Sequence, residues 1–228
     1  MKKANTAMVH FKENLSKKIA PLAALVWRFT LKYLRPAILL TALIAALVSF
    51  VYPFAITGMA QALFPSQANG SLVYKNGKPI ASSIIGQYWT QPQYFHGRPS
   101  ATTNLLGTPS PYNAENSSGT NYGPTSSALQ LEIQTNIAEL KKENPDVPAN
   151  TPIPIDLVTS SASGLDPDIS IAGAYYQIPR IAKARGMTQN QVRQIVEAHI
   201  HGRFLGIFGE PYVNVLELNL ALDQAQHK

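Results

Sequence analysis

The chain has 228 residues, a formal charge of +6 from 19 Lys and Arg against 13 Asp and Glu, and no cysteine. The last fact excludes disulfides, thiolate metal sites and a cysteine nucleophile together. Eight of the 19 bases lie within the first 35 residues beside one acid, Glu13, which leaves 11 bases and 12 acids in the rest, so the basicity is an N-terminal arm and implies no nucleic-acid partner.

That arm, residues 1–35, carries Leu22, Leu25, Val26, Phe29 and Tyr33 near helical spacing with basic residues between them. The pattern suits an interfacial helix, and a solvated tail is the competing reading. Residues 37–56 then run for twenty positions without a charge. At 1.5 Å per residue this matches a hydrocarbon core of ~30 Å, and the transmembrane helix is expected over 36–59. Lys32 and Arg35 precede the run and the next positive charge is Lys75, so the positive-inside rule puts the N-terminus in the cytoplasm and residues 60–228 outside, with lipid around the span. Ala37, Thr41, Ala45 and Ser49 recur every four positions, a small-residue stripe suited to close helix contact, although an Ala- and Leu-rich span produces such a stripe by composition as well. Gly58-Met59-Ala60 offers small residues for signal cleavage, which would release a secreted binding protein. Against that, the apolar run is longer than the roughly 7–15 residues of a signal peptide.

Residues 60–228 are enough for one domain with its own core, and the pattern is α+β. Asn76-Gly77 between two β-prone runs predicts a type I′ hairpin with strands near 71–75 and 78–85. A Gly-, Pro-, Ser- and Asn-rich loop follows over 90–127. Leu129, Ile133, Ile137 and Leu140 then mark one face of a helix from Ser126 or Ser127 to Glu143. The apolar run 155–159 reads as a short strand. Asp168 or Ser170 caps a helix that Gly186 ends, and Thr188 with Gln191 forms a capping box opening another to about His201. A strand over 213–216 and a short helix over 218–223 complete the domain.

The residues offer little chemistry. Ser163 with His199 or His201 and Asp166 or Asp168 would supply a hydrolase triad, the alternative class for an anchored outer domain. No Gly-x-Ser-x-Gly elbow accompanies them, and Ser-Ala-Ser-Gly before Leu-Asp-Pro is ordinary turn chemistry. Glu197, His199 and His201 stand two apart, which on a helix prevents them from sharing one metal ion. No glycine-rich phosphate loop occurs. No catalytic, cofactor-binding or metal-ligating residue is therefore assigned.

Specific motifs carry more. Ile84-Ile-Gly-Gln87, Tyr94-Phe-His-Gly-Arg-Pro-Ser-Ala101, Ser118-Gly-Thr-Asn-Tyr-Gly-Pro124, Ile155-Asp-Leu-Val-Thr-Ser-Ser-Ala-Ser-Gly-Leu-Asp-Pro167, Arg180-Ile-Ala-Lys-Ala-Arg-Gly186 and Val213-Asn-Val-Leu-Glu-Leu-Asn-Leu-Ala-Leu-Asp223 occur in that order. Together with the anchor, residues 36–223 resemble the C subunit of Kdp-type potassium-transporting P-type ATPases. The resemblance implies a non-catalytic subunit of a bacterial inner membrane, with a periplasmic domain. Its partners would be a P-type ATPase catalytic subunit, a channel-like potassium-binding subunit and a small single-span subunit. It also implies a chaperone-like factor that supports assembly and the catalytic subunit's affinity for ATP, with ATP and potassium handled by the complex. Asp168 stands where that family usually has His, Ile171 where Pro is common, and the N-terminal arm is longer than usual. Gln87, Arg98, Asn121, Ser163, Asp166, Asn214 and Asn219 are the polar candidates within these motifs for partner contact or for fixing the loops.

Overall fold

No glycine occurs before Gly58, so only Pro21, Pro36 and Pro53 interrupt the helix-forming N-terminal sequence. In the computed structural model, which describes residues 2–226 (side chains other than those of 2–19, 22, 23, 31 and 226), helix α1 accordingly runs from Lys2 to Ala46 through the first two prolines. The arm thus runs into the span as one helix. A π-helical turn, Leu47–Val51, follows, with the Tyr52 N–H returning to the Leu47 carbonyl, and α2 continues over Tyr52–Leu63. Pro53 explains the wide turn. It has no N–H for Ser49 and its ring crowds that carbonyl, a conflict that an extra residue in the preceding turn relieves. Residues Ala24–Leu63 form a stretch long and apolar enough to cross a membrane. At 1.5 Å per residue its forty residues reach about 60 Å, twice a hydrocarbon core, and the uncharged residues 37–56 within it are about as long as that core. A short helix, α3, Pro65–Ala68, ends this first unit, residues 1–68.

The second unit, residues 69–228, opens with the expected hairpin. Strands β1 (Leu72–Lys75) and β2 (Lys78–Ser82) pair antiparallel, with a bulge between Val73 and Tyr74. Asn76 and Gly77 both have positive φ, 54° and 74°, as a type I′ turn requires. Helix α4 (Ser127–Glu143) buries Leu140 and packs Ile133 and Ile137 on the core, while α5 (Ile171–Arg185) starts at Ser170, whose Oγ accepts the Gly173 N–H, and ends at left-handed Gly186. The Thr188 and Gln191 capping box opens α6 (Gln189–Ala198). Strands β3 (Asp168–Ser170), β4 (Ile200–His201) and β5 (Tyr212–Asn214) form a sheet of order β3-β5-β4, in which Val213 pairs with both Ile169 and Ile200. Helix α7 (Val215–Gln226) closes the unit. Val213, Leu218 and Leu222 meet Ile178, Ile181, Val192 and Val196 in one core.

Three elements differ from their sequence reading. Residues 155–159 are not a strand: Ile155–Leu157 form a 3-10 turn after Pro154, closed by the Thr159 N–H on the Ile155 carbonyl. Leu157 and Val158 are both buried, so the apolar run answers to adjacent core positions and not to the alternation of a strand. Helix α6 stops at Ala198, and Ile200–His201 is strand. Val215 and Leu216 belong to α7, because Asn214 accepts the Glu217 N–H and begins the helix there.

Candidate functional site

The long loop between β2 and α4 is ordered by an unusual set of partners. After a turn over residues 91–94, closed by the Tyr94 N–H on the Gln91 carbonyl, residues 95–98 lie beside no strand, and side chains from two helices meet much of the backbone of 92–96. Asn219 of α7, fully buried, accepts the Phe95 N–H (2.8 Å) and donates to the Phe95 carbonyl (3.0 Å). Gln177 of α5 treats His96 likewise, accepting its N–H at 2.8 Å and donating to its carbonyl at 3.0 Å. One turn on, Arg180 donates from Nη1 to the Pro92 and Tyr94 carbonyls, from Nη2 to Gln177 and from Nε to Asn144. Its desolvation lowers the guanidinium pKa to about 10, with the Glu143 charge opposing the shift. Arg185 reaches the Gln93 carbonyl, pairs with Asp223 at 2.9 Å and lies over the Tyr94 ring.

The next section of the loop is fastened to residues 159–168. Arg98 Nη1 donates to Asp166 at 2.9 Å, and Nη2 reaches the Thr159 and Ser160 carbonyls at 3.5 and 3.3 Å. Asp166 also accepts the Asp168 N–H. Ser100 Oγ donates to the Gly164 carbonyl and accepts the Tyr112 N–H, and the Tyr112 hydroxyl, its pKa raised mainly by burial, donates to the Arg98 carbonyl. Between this loop and α4 lies a cleft of about 280 Å³ lined by Trp89, His96, Arg98, Glu139 and Glu143. His96 sits 3.2 Å from Glu143, whose carboxyl is held below its usual range chiefly by that hydrogen bond.

A second cleft, about 320 Å³, lies beside the small sheet, between Ile84, Asp168, His201, Tyr212, Asn214 and Glu217. Asn214 donates to Asp168 and to the Ser83 carbonyl, both at 2.9 Å. Burial, with Asp166 and Glu217 adding to it, pushes the Asp168 pKa up to about 6 against the opposing effects of Asn214 and His201. His201 is 2.9 Å from Glu217 and stacks on Tyr212.

The seven polar candidates thus fall into different settings. Arg98 and Asp166 hold each other, Asn214 and Asn219 hold backbone, and Gln87 donates to the Ile80 carbonyl at 3.3 Å. Ser163 Oγ accepts the Leu165 N–H, and its carbonyl accepts from Ser117 and Ser118. Asn121 is exposed with φ of 55°. The triad alternative is not assembled among the described residues: Ser163 Oγ meets Ser161, His199 bonds the Ile195 carbonyl and His201 bonds Glu217. No group of three or more His, Cys, Asp or Glu side chains able to hold a metal occurs among them. Sequence reading passed over Gln177, Arg180 and Arg185. Their signal was position: Gln177 and Arg185 share the helical stripe of Ala174, Ile178 and Ile181, and Arg180 lies one turn from Gln177, in a buried helix where a polar residue must bring its own partner.

Comparison with known proteins fits this architecture. A Potassium-transporting ATPase KdpC subunit of Bradyrhizobium diazoefficiens is 51% identical over 204 residues, covering 87% of this chain and all of that protein. Proteins of the same description from Rhodopseudomonas palustris (strain BisB18) and Methylobacterium nodulans are each 50% identical, over 86% and 87% of this chain and all of theirs. The family KdpC, described as K+-transporting ATPase, c chain, matches residues 34–224, which take in the uncharged span and the whole of the second unit's core, and the chain belongs to that family.

Proposed function

We infer that this chain is the non-catalytic C subunit of a Kdp-type potassium-uptake ATPase, held in a bacterial inner membrane by residues 37–56. Its N-terminal arm lies in the cytoplasm and its second unit in the periplasm. The family match over 34–224 carries this reading, because it spans anchor and outer domain in one piece. The charge distribution supports the orientation, with Lys32 and Arg35 at one end of the span and Lys75 as the next positive charge beyond it. Its partners are the P-type ATPase subunit, the channel-like potassium-binding subunit and a small single-span subunit.

A chaperone-like effect on ATP affinity then acts across the membrane. The chain has no phosphate-cradling loop, so the effect is a coupling between partner conformations, on the order of 1–3 kcal/mol. Ala37, Thr41 and Ala45, three turns of one helix, are suited to approach a neighbouring helix, with Ser49 carried on past them by the π turn. Exposed Asn121 and partly exposed Gln87 are the polar candidates best disposed to face a partner. Purification of tagged full-length chain from membranes in mild detergent, with intact-mass analysis, tests the reading. It predicts an uncleaved chain accompanied by a P-type ATPase and a multi-span protein. A lone chain beginning near Gln61 would refute it.

A further inference from the structure

Between β4 and β5 the chain forms a small projecting loop whose apolar side chains have no internal function. Phe204, Leu205, Ile207 and Phe208 are 72%, 73%, 73% and 61% exposed. Four such residues in five positions is the reverse of what a water-facing loop selects. We propose that the 204–208 tip inserts into the interfacial region of the bilayer that anchors the chain. The inference rests on the anchoring reading given above.

Three observations favour lipid as the occupant. The loop meets most of its own N–H groups: Phe204 and Phe208 bridge, with the Phe204 N–H on the Phe208 carbonyl at 2.9 Å, the Gly206 N–H on the Arg203 carbonyl, and the Ile207 and Phe208 N–H groups on the Phe204 carbonyl. A protein partner does not demand this, whereas each N–H met within the loop lowers the cost of leaving water at the membrane interface. Charge is confined to the base of the loop, where Arg203 and Glu210 pair at 2.8 Å, leaving 204–209 uncharged below a polar collar. Finally, only residues 64–71 separate α2 from β1, so the second unit is joined to the anchoring helix by a short connection.

The chain contains no cysteine, so single-cysteine spin labels report one position each. Leu205→Cys would be compared with Ala45→Cys in the span and Gln130→Cys on the exposed side of α4. Each is measured in the full-length chain and in the assembled complex, in phosphatidylcholine and phosphatidylglycerol bilayers, by collision with oxygen and with a water-soluble nickel chelate. The expected result is a several-fold higher oxygen-to-nickel ratio at 205 than at 130, as at 45. A lipid signal at 45 with a water signal at 205 overturns the insertion and leaves the anchor standing. A label at 205 shielded from both reagents in the complex means that a subunit covers the tip, and overturns it too. A water signal at 45 overturns anchor and insertion together.

Discussion

Asn219 and Phe95, 124 residues apart, are joined by a pair of hydrogen bonds of the kind that neighbouring strands exchange, except that one side of the pair is a side-chain amide. Gln177 repeats the arrangement at His96. Helices α5 and α7 thereby present two amides where a sheet would present a strand, and the loop with the Tyr94-Phe-His-Gly-Arg motif is fixed by them.

Asn219→Leu is expected to leave the Phe95 N–H and carbonyl buried without partners. The cost is about 2–4 kcal/mol, read by denaturant unfolding of the full chain in detergent. Asn219→Asp, which keeps the acceptor and loses the donor, should also destabilise. Wild-type stability in both variants would remove the amide pair from the account.

Arg98→Ala breaks the ion pair with Asp166 and frees the carbonyls of Thr159 and Ser160. Both partners are partly exposed, so the expected loss is modest, about 1 kcal/mol, with weaker co-purification of the complex. Unchanged assembly and transport would show that this link serves the fold alone.

Gly164 combines φ of 65° with close walls: a Cβ there would stand 2.6 Å from the Ser118 carbonyl oxygen and 2.6 Å from Thr102 Cγ2. Gly164→Ala is therefore expected to cost more than about 2 kcal/mol, against little for Gly202→Ala, where nothing lies within 4 Å. Equal melting temperatures for the two variants would contradict this.

Asp168 carries a pH dependence. Its pKa is about 6 in the folded chain and 3.8 ordinarily, so the native state holds the proton more tightly. Stability from this group is fully present below about pH 4 and is lost as pH rises through 6. Asp168→Asn should flatten that slope and raise stability at pH 7 by about 1 kcal/mol after allowance for partial exposure. Melting curves at pH 4.5 and 7.5 measure both effects, and an unchanged slope would assign the dependence elsewhere.

What the sequence disclosed follows from how local each interaction is. The uncharged span, the Asn76-Gly77 turn, the Ser170 cap and the Thr188 capping box are made within a few residues of themselves, and each was legible. The path of residues 92–96 was not, because its backbone is satisfied by Gln177, Arg180 and Asn219, some 80 to 130 residues away. Strands of two or three residues, such as Ile200–His201, are too short for alternation to register, and the run 155–159 carried a strand's composition into a turn. Of the candidate site, Arg98, Asp166, Asn214 and Asn219 were identifiable as polar residues with a task. The atoms they hold lie within the same unit, through contacts 46 to 131 residues apart in sequence that no local pattern announces.

The most direct test of the account is the KM for ATP of the reconstituted potassium-stimulated ATPase, prepared with this chain and without it. A coupling of 1–3 kcal/mol predicts that omission raises KM by roughly 5- to 150-fold, or that the complex fails to assemble. An intact complex with an unchanged KM for ATP would contradict it.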